Sequence, residues 1–290
     1  MNLAETAWPA PAKLNLFLHI VGRRADGYHL LQTVFQFVDY CDYIRFYPRS
    51  DGAVGRRSDL AGVPPEQDLV VRAARALQQY AGTGLGVDIE VDKRLPMGGG
   101  LGGGSSDAAT TLVALNALWR LGLSADTLAT LGLALGADVP VFVRGRAAWA
   151  EGVGEVLTPV ELLEPWFVVV VPAAQVETRK IFNAADLTRN KHPIKIRDFL
   201  DGPTENVCQS LVSDYYPEVA AALEWLSKFG QARMTGTGAC VFAAFPSERE
   251  ATEVAERKPE GWRVAVAKGL NESPLLGTLR RFQSAQAQSQ

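Results

Sequence analysis

Residues 13–20 read Lys-Leu-Asn-Leu-Phe-Leu-His-Ile, a strict alternation. It predicts a strand with Leu14, Leu16, Leu18 and Ile20 on one face and Lys13, Asn15, Phe17 and His19 on the other. Arg24-Ala25-Asp26-Gly27 signals a turn, and the β-branched and aromatic residues of 34–46 predict further strand. Residues 49–67, rich in Gly, Pro, Asp and Arg, read as a loop. Over 68–81 the period changes: Val70, Ala73, Ala74 and Leu77 form a helical stripe opposite Arg72, Arg75 and Gln79. Val87, Ile89 and Val91 then alternate with Asp88, Glu90 and Asp92, as in a half-buried strand.

Downstream, helices are predicted over 105–119, with Ala108, Leu112, Leu115 and Trp119 at core spacing, and over about 124–135, closed by Gly136. Short strands follow around 146–151 and 166–171. The second half predicts helices near 178–186, 205–213 and 215–229, a glycine-rich turn at 236–238, a strand at 240–245, a helix near 247–257 and a strand near 262–268. A boundary at Thr158-Pro159 divides the chain into domains of 1–160 and 161–282, and the polar stretch 283–290 reads as a disordered tail.

Between the strand at 87–91 and the helix at 105–119 lie six glycines in seven positions, 98–104. Such a run cannot be a helix or strand interior, where each glycine costs up to about 1 kcal/mol relative to alanine. Linkers are seldom embedded between a patterned strand and a patterned helix, whereas a glycine-rich turn at a helix N-terminus turns backbone N–H groups towards an anion. The natural ligand is a phosphate chain. Ser105 and Ser106 can cap the helix, or contact phosphate or a metal ion. A Walker A motif is excluded, because the chain contains no Gly-Lys pair. Gly98-x-Gly100-x-x-Gly103 satisfies the dinucleotide pattern almost automatically, and a second helix follows where a dinucleotide-binding unit needs a strand.

Composition narrows the partners. The 290 residues carry 29 Lys and Arg against 32 Asp and Glu, a net charge of −3, which argues against a dedicated nucleic-acid binder. No apolar run is long enough to span a membrane, and the N-terminal residues do not form a signal peptide. Three scattered cysteines, Cys41, Cys208 and Cys240, form no CxxC pair and suit a reducing cytoplasm.

The segment Pro-Met-Gly-Gly-Gly-Leu-Gly-Gly-Gly-Ser-Ser-Asp resembles the phosphate loop of the GHMP small-molecule kinases. Pro11-Ala12-Lys13-Leu14-Asn15-Leu16 and Met234-Thr235-Gly236-Thr237-Gly238-Ala239-Cys240 are similar to two further motifs of that family, in the same order and across about 230 residues. Arg24-Ala25-Asp26-Gly27-Tyr28-His29 and Leu135-Gly136-Ala137-Asp138-Val139-Pro140-Val141-Phe142 resemble the branch that acts on a cytidine diphosphate-linked alcohol. The resemblance implies an α+β, two-domain GHMP kinase fold: a ribosomal protein S5 domain 2-like N-terminal domain and a ferredoxin-like C-terminal domain, with the site between them. It implies ATP as co-substrate with Mg2+, transfer of the γ-phosphoryl group to the substrate's 2-hydroxyl, and a place in the non-mevalonate route to isoprenoid precursors.

Residue roles follow from the same source. On the residues alone, Asp138 reads equally as a turn-capping aspartate or a positioned base; the resemblance makes it the base. Lys13 reads as a strand-edge lysine or a partner for a carboxylate, and the resemblance makes it catalytic. Lys93, Pro96, Met97, Gly98, Gly99, Gly100, Leu101, Gly102, Gly103, Gly104, Ser105 and Ser106 are implied to bind the nucleotide. Asn15, Tyr28, His29, Thr178, Phe182, Gly236, Thr237 and Gly238 are implied to meet the substrate, with the cytosine read by His29 and held between Tyr28 and Phe182. His19 is read as structural and His192 as a loop residue. Asp68 stands where the family often carries asparagine, and no carboxylate pair marks the metal ligands.

Overall fold

The computed structural model describes residues 6–60, 62–202 and 205–288. Two long strands, β1 (Trp8–Arg23) and β2 (His29–Arg49), form an antiparallel hairpin that runs through the molecule. The turn predicted at 24–27 joins them, closed by hydrogen bonds from Arg24 N to Tyr28 O and from Gly27 N to Arg24 O. The two faces predicted for 13–20 are both largely buried, because each side of the hairpin is covered. A bulge between Asn15 and Leu18 also breaks the parity. Leu18 therefore lines the same cavity as Lys13 and Asn15, although it lies an odd number of residues away.

Strand β3 (Val54–Arg56) corrects the loop predicted at 49–67: it pairs in parallel with β4 (Gly86–Asp92), a non-local contact that no local pattern announces. Helix α1 (Leu69–Ala81) starts at Asp68, whose carboxylate accepts from Val70 N, and stops at Gly82, which takes the left-handed φ of 60°. Helix α2 (Gly103–Leu118) starts on the last two glycines of the run, two residues before the predicted start, and is buried over most of its length. Helix α3 (Ala125–Leu133) is capped by Ser124. A short helix absent from the sequence reading, α4 (Val139–Arg144), begins immediately after Asp138 with Pro140 in its first turn. Strands β5 (Ala148–Glu151) and β6 (Val156–Pro159) complete this half.

The second half contains β7 (Trp166–Val171), α5 (Thr178–Asn183), α6 (Ile196–Asp201), α7 (Gln209–Tyr215), α8 (Pro217–Ser227), β8 (Arg233–Met234), β9 (Val241–Phe245), α9 (Glu248–Glu256), β10 (Arg263–Leu270) and α10 (Pro274–Ala287). Strand β10 pairs along β7 and then, at Gly269 and Leu270, with Phe37 and Val38 of β2, so one sheet runs β3-β4-β2-β10-β7-β9-β8. One apolar core lies beneath α1, α2 and α4, and another lies among β7, β9, α7 and α8. A third, with Leu14, Val38, Leu101, Val169 and Cys240, joins the two beneath the glycine-rich loop. Among the described residues no helix is long and apolar enough to cross a membrane.

The tail expected from Gln283 is instead helical to Ala287, and its final two residues lie outside the described set. The cause is upstream: Ser273 caps α10 by accepting from Leu275 N, and Phe282 is 2% exposed with its ring centroid 5.3 Å from that of Trp8. The C-terminal helix thereby completes the first core. Phe282→Ala should lower stability by about 3–5 kcal/mol, read as a lower urea midpoint, whereas an unchanged midpoint would show that α10 is not integral.

Candidate active site

A cavity of about 1050 Å³ lies between the hairpin, the glycine-rich loop and the 235–238 turn. Lys13 is the centre of its polar floor. Its Nζ donates to Asn15 Oδ1 at 2.6 Å and to Gly100 O at 3.0 Å, and lies 3.2 Å from Asp138 Oδ2. The lysine side chain is 4% exposed and Asp138 33% exposed, so the ammonium is withdrawn while the carboxylate opens to the cavity. Asp138 precedes α4 yet makes no side-chain capping bond. That geometry removes the turn-capping reading and leaves the carboxylate oriented by Lys13, with acceptor capacity to spare.

The loop is held by backbone contacts that need glycine. Lys13 N donates to Leu101 O, and Cys240 N to Gly99 O. Gly102 has φ 73°, and a Cβ there would lie 2.8 Å from the Phe142 ring and 3.2 Å from Lys13 Cε. At Gly100 (φ 75°) a Cβ would lie 2.3 Å from Thr235 O. Thr235 ties the pieces together: its hydroxyl accepts from Asn15 N at 2.9 Å and donates to Gly100 O at 3.3 Å. The loop ends on the N-terminus of α2, where the unpaired N–H groups and the helix dipole favour a phosphate.

Most of the residues expected at the site face this cavity: Lys13, Asn15, Tyr28, His29, Lys93, Pro96, Met97, the loop glycines, Ser105, Asp138, Thr178, Phe182, Gly236 and Thr237. Three do not. Leu101 points into the joining core, Ser106 is fully buried behind the loop, and Gly238 lies under the turn, where a Cβ would lie 2.8 Å from Met234 Sδ. These three support the loop and the turn from below.

Lys93 is neutralised by two carboxylates, with its Nζ 2.6 Å from both Asp42 Oδ2 and Asp107 Oδ2. Asp42 Oδ1 also accepts from Arg94 N and Leu95 N, which fixes the chain entering the loop. Burial pushes the Asp107 carboxyl up to about 7; Lys93 opposes the rise and Asp42 adds to it. Asp107 Oδ1 has no hydrogen-bond partner. Nearby, Asp68 pairs with Arg56 at 2.5 Å, both side chains nearly buried, and Asp68 also lines the cavity. The departure at position 68 is thus matched by a cation that the sequence reading does not connect to it.

At the opposite end, Tyr28 is 63% exposed at the mouth, and His29 stacks on Phe182 with ring centroids 5.0 Å apart and planes at 19°. Phe182 therefore faces His29 rather than Tyr28. The Thr178 and Thr237 hydroxyls are 2.9 Å apart, and Asn206 Nδ2 donates to Gly236 O, steadying the turn. His19 is 7% exposed beside Phe17, away from the cavity lining.

A withdrawn lysine paired with a cavity-facing carboxylate beside a glycine-rich helix N-terminus fits a phosphoryl-transfer site of the small-molecule kinase type. Residues 68–146 match the GHMP kinases N terminal domain, and residues 185–263 match the GHMP kinases C terminal domain. A 4-diphosphocytidyl-2-C-methyl-D-erythritol kinase of Nitrosococcus oceani is 61% identical over 274 residues, covering 94% of this chain and 98% of the relative. The protein of the same name from Halorhodospira halophila is 58% identical, covering 94% and 96%. A crystal structure of 4-(cytidine 5'-diphospho)-2C-methyl-D-erythritol kinase superposes with a TM-score of 0.81 at 32% identity, covering 91% of this chain and 99% of that one. The Methanococcus jannaschii mevalonate kinase shares the fold, at a TM-score of 0.67 and 16% identity over 92% of this chain and 98% of its own. The chain belongs to the GHMP kinases and, within them, to the 4-diphosphocytidyl-2-C-methyl-D-erythritol kinase family. It has the mixed α and β fold of that family and is an ATP-dependent kinase.

The raised Asp107 carboxyl has a consequence for stability. The folded protein keeps a proton that the unfolded chain, with a carboxyl near 3.9, has released. This group's contribution is therefore full below about pH 4 and is lost as the pH rises through about 7. Urea unfolding from about pH 5.5 to about pH 8 should show a steeper loss of stability in the wild type than in Asp107→Asn. Parallel curves would contradict the assignment.

Proposed function

We propose that the chain phosphorylates the 2-hydroxyl of 4-diphosphocytidyl-2-C-methyl-D-erythritol with ATP, giving the 2-phosphate and ADP, in the non-mevalonate synthesis of isoprenoid precursors. The observation that carries this reading is the Lys13–Asp138 pair, 3.2 Å apart beside the loop, in one cavity with His29 and Phe182. The γ-phosphate lies by the N-terminus of α2, and the substrate hydroxyl approaches Asp138. As the hydroxyl oxygen bonds to the γ-phosphorus, Asp138 takes its proton. The bond from that phosphorus to the bridging oxygen breaks, and ADP leaves with the electron pair. Lys13 holds the carboxylate and stabilises the charge that develops beside it.

Asn15, Gly236 and Thr237 border the transferring group, while Tyr28, His29, Thr178 and Phe182 receive the cytidine diphosphate group. Mg2+ arriving with ATP needs only one or two protein oxygens. Ser105, which lines the cavity beside the loop, fits that need, and the ion would offset phosphate charge. The three free, buried cysteines suit a cytoplasmic location.

The test is an ADP-release assay with ATP and Mg2+ that compares the cytidine compound with homoserine, galactose and mevalonate. Turnover of the cytidine compound alone is expected. Turnover of another alcohol instead would keep the Lys13–Asp138 chemistry and remove the nucleobase role of the aromatic end. Asp138→Asn should retain ATP binding and lose about 100- to 10,000-fold in kcat, and an unimpaired rate would remove Asp138 as base. Tyr28→Ala and Phe182→Ala should each raise KM for the cytidine substrate more than KM for ATP, whereas equal effects would count against the cytidine assignment.

A further inference from the structure

Arg189 lies in the segment after α5, and its guanidinium is fully engaged. Nη2 donates to Phe182 O at 3.0 Å and to Ala184 O at 2.5 Å, Nη1 donates to Leu187 O at 3.1 Å, and Nε donates to His29 Nε2 at 3.2 Å. One cation thus gathers the carbonyls of the turn that carries Phe182 and fixes the imidazole that stacks on it. A guanidinium has donors only and keeps its protons in proteins. The imidazole nitrogen facing it must therefore carry the lone pair, and the single ring proton of neutral His29 sits on Nδ1. The environment agrees. Burial, then Arg189, then Arg23 hold the His29 pKa below its ordinary value, so the ring stays neutral near pH 7.

We propose that Arg189 is a positioning residue for nucleobase selection: it holds His29 as the Nδ1–H tautomer, so that the cavity offers a ring N–H donor to the N3 acceptor of cytosine. This rests on the reading of the Tyr28–His29–Phe182 end as the cytidine pocket. Uracil carries a hydrogen on N3, so its N–H would meet the His29 N–H donor to donor. The cost of that mismatch falls on a nearly buried group, since His29 is 7% exposed. The same tautomer could not be selected by a solvated histidine, whose two neutral forms interconvert freely.

The chain has three histidines, which makes nitrogen-15 histidine spectra tractable, with His29→Gln supplying the assignment. In the wild type without ligand, His29 should show the Nδ1–H signature and titrate below the ordinary histidine value. In Arg189→Met the signature should become mixed and the titration midpoint should rise. Calorimetric binding of CDP and UDP should favour CDP by about tenfold in the wild type, and Arg189→Met should lose most of that ratio. KM for the cytidine substrate should rise more than kcat falls. On a His29→Gln background, Arg189→Met should leave the CDP-to-UDP ratio unchanged, because that ratio passes through His29.

A merely structural role for Arg189 would weaken CDP and UDP binding together and leave the wild-type tautomer unconstrained. An enzyme that phosphorylates the cytidine compound but shows His29 as Nε2–H overturns the proposal, and so does an unchanged CDP-to-UDP ratio in a folded Arg189→Met. If that variant does not fold, the wild-type spectrum decides alone. Failure of the wild type to phosphorylate the cytidine compound overturns the substrate reading instead, and the nucleobase role of Arg189 with it.

Discussion

A single ammonium group organises the floor of the cavity. Lys13 Nζ is removed from water, so it must be surrounded by acceptors, and it finds three: the Asp138 carboxylate, the Asn15 amide oxygen and the Gly100 carbonyl. Those acceptors come from three separate places: the start of α4, the hairpin itself and the glycine-rich loop. Satisfying one buried charge therefore sets the spacing between the Asp138 carboxylate and the glycine-rich backbone. The glycines follow from this closeness. A Cβ at Gly102 would lie 2.8 Å from the Phe142 ring and 3.2 Å from the lysine stem, so a side chain there would push the loop off the pair.

The remainder of the fold makes that floor rigid and its two ends different. The β1–β2 hairpin crosses both halves, and strand β10 stitches β2 to the second half at Gly269 and Leu270. Thr235, in the second half, bonds to Asn15 and Gly100 in the first, so the cavity floor is braced from both sides. At the end beside the glycine-rich loop the charges are paired and largely buried: Lys93 with Asp42 and Asp107, and Arg56 with Asp68. At the other end the His29 and Phe182 rings are set among charged side chains, with Arg23, Asp26 and Arg179 on the cavity lining and Arg189 bonded to His29.

What is legible in the sequence is local. The period of 68–81 and of 105–119, the glycine run and the turn at 24–27 announce themselves within a dozen residues, and the structure keeps them. The faces of β1 are half legible, because the bulge after Asn15 moves Leu18 to the cavity. Partnerships at long range are not legible. Asp42 meets Lys93 across 51 positions, Thr235 meets Asn15 across 220, and Arg189 meets His29 across 160. No periodicity encodes such pairs; burial decides them, since each charge or donor left inside must find a partner. The end of helix α10 escapes the sequence for the opposite reason. Its polar C-terminal residues resemble a tail, and only Phe282, packed on Trp8 from the other end of the chain, holds it down.

If Lys13 and Asp138 act as one device, their losses cannot add. The most direct test is a double-mutant cycle on single-turnover phosphoryl transfer with Lys13→Met, Asp138→Asn and the combined variant. The expected result is that the double variant is scarcely slower than the slower single one, as for residues that work only together. Losses that multiply would show two independent contributions and contradict the central role of the Lys13–Asp138 pair.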